Sequence, residues 1–188
     1  MRSRRKIGRL GEQASIAQAR AVAYDDARAL AVELGRGVSS SGFDAMSAGL
    51  VLLPGETAYR WVQVWIMVQH DGCWAPPSWA QILVTDQRLL CRCGDGRLVS
   101  LYWSDVVGMQ IALDQQSIIL NYGDHAPVAL SGVETAVIAV AAVATLYGVS
   151  SLLAHPALAA LRCPSSSGND SHRPRAGANC ESSAIGDS

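Results

Sequence analysis

The sequence predicts a mainly-β α+β domain: a meander of about seven antiparallel strands, followed by a C-terminal helix and preceded by an N-terminal one. Three observations predict it. Between Leu52 and Leu130, short runs of Val, Ile, Leu, Tyr and Trp alternate with turn residues about every ten positions. Residues 135–154 carry no charge and follow "SGVE", a helix-start pattern. Near the N-terminus, Ile16, Ala19, Ala23, Ala27, Leu30 and Leu34 recur at three- and four-residue steps, the spacing of one helix face. A chain of 188 residues suits one well-buried domain with extensions, and with Phe43 as its only phenylalanine the core must be aliphatic.

Residues 1–8 read as a disordered basic arm carrying Arg2, Arg4, Arg5 and Lys6, with Arg9 next to it. A helix is expected over 9–35, its apolar pattern beginning near Gly11 and Gly35 standing as a plausible C′ residue. Its stripe is mostly alanine and needs a preformed surface to dock on. The small polar residues of 36–51 read as a linker. Within 52–162 seven strand runs are expected: 58–69, 79–85, 88–93, 98–103, 106–113, 117–122 and 127–130. Asp95-Gly96 and Gly123-Asp124 are hairpin signals between them. "SGVE" then fits a capping box, with Ser131 accepting from the first helical turn and Glu134 reaching back. The helix is expected to run to Tyr147 and stop at Gly148, and a shorter one to begin at Pro156. Residues 163–188, rich in Ser, Gly, Asn, Pro and Asp, read as a disordered tail.

An uncharged stretch over 135–154 approaches the ~20 residues a bilayer span needs, but the helix start and Gly148 cut it to about 13, the length of a buried core helix. Charge is unevenly spread. Residues 1–50 hold eight Arg or Lys against five acids, whereas residues 51–162 hold five Arg against eight acids, with no Lys. The strand region would therefore repel a phosphate backbone, which argues against nucleic acid as its ligand. Cys73, Cys91, Cys93, Cys163 and Cys180 form an odd set without framework spacing, as expected of free thiols in a reducing compartment. "GEQASIAQAR" is polar where a signal peptide would be apolar, so the expected location is cytoplasmic.

Three segments carry a family resemblance. "PGE" at Pro54–Glu56, "LVTDQRLLCR" at Leu83–Arg92 and "SLYWSDVVG" at Ser100–Gly108 resemble bacterial pleckstrin-homology-like (PH-like) and GRAM-like domains. Such domains commonly show a Gly-Glu before the first strand, a Thr-Asp-x-Arg-Leu hairpin and an Asp after the next strand. The resemblance covers roughly residues 52–153. It implies a barrel of two near-orthogonal sheets plugged at one end by the C-terminal helix. Phosphoinositide-binding members place several Lys and Arg around the first hairpin loop, but here that loop is "HDGCWAPPS", which has neither. In the hairpin, turn chemistry accounts for Thr85, Asp86 and Arg88: Asp86 caps the turn through backbone N–H groups, and Arg88 opens the next strand beside a carboxylate.

The first strand is apolar on both faces. Val62, Val64, Ile66 and Val68 supply one, while Tyr59, Trp61 and Trp65 need a cover on the other: the N-terminal helix, a partner, or a second copy of the chain. Trp74 and Trp79 flank the same loop, in a shape that suits a protein partner or a membrane interface. Cys91 and Cys93 are one irregular pair, with no second knuckle to complete a zinc site. No nucleophile elbow, metalloprotease helix, phosphate-cradling loop or dinucleotide fingerprint is present. The expectation is a non-enzymatic, cofactor-free interaction module. It would bind a protein partner or itself through Tyr59, Trp61, Trp65, Trp74 and Trp79, with no small-molecule substrate in view. The alternative is a membrane-associated protein, peripheral or single-pass, using Trp74, the apolar helix and Arg2, Arg4, Arg5, Lys6 and Arg9, each arm charge worth about 1 kcal/mol at an anionic surface.

Overall fold

The runs of β-branched and aromatic residues form eight antiparallel strands in a computed structural model that describes residues 3–38 and 44–162, residues 3–12 by their backbone alone. The strands are β1 (Ala58–His70), β2 (Cys73–Trp74), β3 (Ser78–Thr85), β4 (Arg88–Cys93), β5 (Leu98–Tyr102), β6 (Gly108–Ala112), β7 (Ser117–Tyr122) and β8 (His125–Ser131). All seven expected runs are strands, and β2 is the addition. It pairs with β1 across Asp71-Gly72, where both residues take positive φ (50° and 77°), the two-residue turn whose twist matches that of its strands.

The strands form one continuous sheet in the order β5-β4-β3-β1-β8-β7-β6, with β2 beside β1. A barrel is not closed. Among the described residues the edge strands β5 and β6 do not pair, and the chain passes between them through a 3-10 turn, Trp103–Asp105, whose indole is buried in the core.

One face of the sheet supplies Val62, Val64, Ile82, Leu89, Ile118 and Leu130 to the main core, and α2 (Thr135–Tyr147) packs against it. Residues 135–144 are buried without exception, so this helix is covered on every side. Small Ala and Val side chains allow that, because neighbours can approach its backbone closely. As expected, it ends at Gly148, which takes a φ of 84°. No described helix is long and apolar enough to cross a membrane.

Helix α1 (Ser3–Gly35) lies against α2. It begins at Ser3, ahead of the expected start at residue 9, so the backbone of residues 3–8 is helical; extending an existing helix through Arg, Lys, Ile and Leu costs far less than nucleating one. Buried Tyr24, Ala27 and Leu30 dock it, and the Tyr24 hydroxyl donates to the Leu113 carbonyl (3.0 Å). Arg60 at the start of β1 clamps it from the other side, bonding Asp26 and Glu33 at 2.8 Å each.

Two further expectations are corrected. The capping box does not form: α2 starts at Thr135, and the Glu134 carboxylate accepts instead from the Gln63 backbone N–H of β1. An unbonded strand N–H is a stronger claimant than the cap of a helix whose first turn is already buried against the sheet. Secondly, 36–51 is not all linker. Ala45 and Leu50 are buried against Ala58, Leu83 and Leu90 in a second, smaller cluster on the outer face of the sheet. Past the 3-10 turns Val149–Leu153 and Pro156–Leu158, the expected short helix continues as α3 (Ala159–Arg162). The expected tail, 163–188, lies outside the described residues.

Candidate functional site

The polar step between β3 and β4 is a closed network. Thr85 Oγ1 accepts from the Gln87 and Arg88 N–H groups (3.1 and 2.9 Å) and donates to Glu56 Oε1 (2.7 Å). Asp86 does not cap its own turn as expected. Its carboxylate accepts from Thr57 N–H (2.8 Å), tying the hairpin to the chain before β1, because Thr85 has already taken the turn's donors. Arg88 meets the carboxylate foreseen for it, a two-pronged pair with Glu56 at 2.9 Å on each prong. Its remaining donors reach Val51 O, Ser100 Oγ and the Tyr102 hydroxyl. Burial alone would raise the Glu56 pKa, but hydrogen bonds from Arg88, Leu53 N–H and Thr85, with the Arg88 charge, hold it below the usual carboxylate value. With its groups bonded to one another, this network is structural and has little left to offer a substrate.

The aromatic residues of β1 do not share one fate. A bulge between Ala58 and Arg60 turns Tyr59 toward the main core, and burial raises its pKa. Trp61 packs on the outer cluster, where Ala48 and Leu52 also lie and the Arg92 guanidinium stands 5.9 Å from its ring. The cover is therefore the segment 44–53, not α1, which is engaged with α2 on the other side. Trp65 stays open at 46% exposed, and its cross-strand partner Trp79 at 40%, their rings edge to face at 5.3 Å. Trp74, on β2, is also 40% exposed.

Register extends this pair into a patch. Met67, Ala129 and Ile119 align across β1, β8 and β7 on the same outward side, and Ala129 is buried between its neighbours. Around them the outward strand positions are Gln63, Gln81, Ser131, Ser117 and Gln110, none of them charged, with Arg92 of β4 beside Gln81 and the Glu134 carboxylate on the Gln63 N–H at the margin. Sequence reading placed Trp65 and Met67 on one face of the first strand and singled out Trp79, but missed Ala129 and Ile119, because single apolar residues on separate strands become a patch only through register.

Other sequence candidates stay apart. Arg2 lies outside the described residues, and Arg4, Arg5, Lys6 and Arg9 sit on the first turns of α1, described by backbone alone. No three His, Cys, Asp or Glu side chains among the described residues cluster as metal ligands. Cys91 is fully buried and its thiol pKa strongly raised, by burial first and by Cys93 second, whereas Cys73 is exposed. Iodoacetamide with peptide mapping is expected to modify Cys73 readily and Cys91 only after unfolding; labelling of native Cys91 at a comparable rate would contradict this packing.

No family model matches the chain, and no curated protein matches it. Among solved structures it is similar to the C-terminal domain of an unknown protein from Leishmania infantum, with 10% identity over 50% of this chain and 86% of that one, at a TM-score of 0.35.

Proposed function

We propose that the chain is a non-catalytic interaction module of PH-like or GRAM-like type, and that it docks on protein through the outer sheet face centred on Trp65 and Trp79. The observation that carries this reading is the composition of that face. Charged residues are depleted and Trp and Met enriched at the centres of protein interfaces, and an exposed Trp pair ringed by Gln and Ser has that character. The PH-like assignment rests on the Gly55-Glu56, Thr85-Asp86 and Arg88-Leu89 motif residues, of which Glu56, Thr85 and Arg88 bond one another through their side chains, and on the order of a strand meander followed by an apolar helix.

The occupant that suits the face best is a second copy of the chain. In a two-fold pairing each patch meets its own kind, so a charge near the axis would face its like, and the outward strand positions around Trp65 and Trp79 carry none. Sedimentation equilibrium is expected to show a concentration-dependent dimer. The double substitution Trp65→Ser and Trp79→Ser should weaken it by more than a hundredfold, at roughly 2 kcal/mol or more for each central Trp, with the melting temperature unchanged at dilutions where both proteins are monomeric. A wild type that is monomeric throughout, or a double mutant that pairs equally well, overturns the self-pairing.

A further inference from the structure

The edge strand β5 has its second side open. Two backbone bonds fix which of its groups face that side: the Trp103 N–H donates to Gln87 O, and the Cys93 N–H to Arg97 O, both in the register that pairs Leu101 with Leu89 and Val99 with Cys91. Odd-numbered positions of β5 therefore bond β4, and the main-chain groups of Leu98 and Ser100, with the Tyr102 N–H, point away from it. Among the described residues no strand pairs with them. Natural sheet edges are usually guarded by Lys, Pro, a bulge or a covering segment. β5 reads Leu-Val-Ser-Leu-Tyr in unbroken register, and Leu98 and Val99 are 55% and 37% exposed.

Beside this edge lies a pocket of about 260 Å³, with Ser100 and Tyr102 on one side and Tyr122, Ala126 and Val128 of the β7–β8 hairpin opposite. That volume is just under the ~300–1,000 Å³ of small-molecule sites and suits a side chain better than a whole ligand. Tyr122 is 7% exposed, and its hydroxyl is buried with no hydrogen-bond partner among the described residues. A buried hydroxyl left unbonded is costly, so an incoming group that bonds it gains free energy.

We infer that β5 is the docking edge for an extended segment of a partner protein, which adds to the sheet as one further strand and places a Ser, Thr or Asn side chain in the pocket against the Tyr122 hydroxyl. A row of alternating main-chain donors and acceptors is matched by extended backbone, and the pocket reads the side chain. With the hairpin standing opposite, the space beside β5 suits a single strand, so the occupant is a linear segment and not the sheet edge of a second copy. This edge is separate from the Trp face and does not depend on it.

The test pans a phage-displayed library of random dodecapeptides against the full chain; selected peptides are then synthesised and titrated by fluorescence anisotropy. One peptide per chain is expected. Single N-methyl groups walked along the peptide should weaken binding by about tenfold or more at every second residue and by less than about twofold at the residues between, because only alternate N–H groups of an added strand meet its neighbour. Leu98→Pro removes an outward N–H at the first residue of the strand, where proline is tolerated, and should cost about tenfold with little change in melting temperature. Leu98→Ala keeps that N–H and should cost clearly less. Tyr122→Phe should also weaken binding by about tenfold while leaving the free chain at least as stable, a pattern that a hydroxyl with only a structural role would not give. Trp65→Ser should bind as wild type, which separates a failure here from failure of the Trp face. No enriched peptide, N-methyl effects without alternation, or wild-type binding by Leu98→Pro or by Tyr122→Phe would each overturn the inference, and the peptide series decides it even where Leu98→Pro lowers the melting temperature.

Discussion

Arg88→Ala is expected to destabilise the domain by roughly 3–5 kcal/mol, because it leaves Glu56 with its counter-charge removed in the centre of a buried network. The Glu56 side chain is fully buried, and two of its bonds come from Arg88 itself. Glu56→Gln should be severe for the converse reason, stranding the guanidinium. Joint replacement by Leu at 56 and Met at 88 should recover most of the loss, since removing both members avoids an unpaired charge. Urea denaturation of the four proteins tests this, and a double mutant no better than the worse single one would contradict it. The pair also sets an acid limit. Glu56 has a lowered folded-state pKa, so its contribution is fully present above the unfolded-state carboxylate value and is lost as pH falls through the lowered folded-state one. The slope of stability against pH in that window should flatten in the Leu/Met double mutant.

Trp103→Ala should cost about as much, roughly 3–5 kcal/mol, for a different reason. Trp103 is among the largest fully buried side chains and occupies the turn that joins the two unpaired edges of the sheet. Its indole N–H donates to Thr85 O (2.9 Å) and its backbone N–H to Gln87 O (3.0 Å), so it fastens β5 to the β3–β4 hairpin where strand pairing gives out. Trp103→Phe should separate the two contributions: most of the apolar burial is kept, and about 1–3 kcal/mol is lost with the bond to a buried carbonyl. Chemical denaturation measures both. A Phe variant as unstable as the Ala variant would mean that the hydrogen bond, and not the filled volume, is the main contribution.

How far the chain was legible differs element by element. The expected strands were legible because each is written locally: the alternation in Ser117–Tyr122 reappears as alternating partial and full burial, whereas the short β2 after the Asp71-Gly72 turn was read as loop. Helix α2 was legible from its uncharged run and Gly148. Its capping box was not, because Glu134 is claimed by Gln63 on β1, 71 positions away in the chain. Asp86 behaves alike, bonding Thr57 across the hairpin when a local bond was expected. In both cases a short-range motif offered one satisfactory partner and the tertiary fold offered another.

For the candidate sites the difference is larger. Sequence supplied the five aromatic residues but could not sort them: a bulge turns Tyr59 inward, the 44–53 segment meets Trp61, and only the half around Trp65 and Trp79 stays open. The pocket beside β5 was not legible as a site. Its walls come from residues 100–105 and 122–128, each ordinary strand or turn sequence, and the space between them exists only because strands from opposite halves of the sheet face each other without pairing.

By itself, then, the sequence determined the mainly-β class, the strand runs, the position of the apolar helix and the hairpin motif, all features governed by neighbours within a few positions. Tertiary structure alone decided that the sheet stays open, which aromatic residues reach the surface, what Glu56 and Glu134 bond, and where a pocket forms. These depend on register and on contacts between distant segments, which no local pattern encodes.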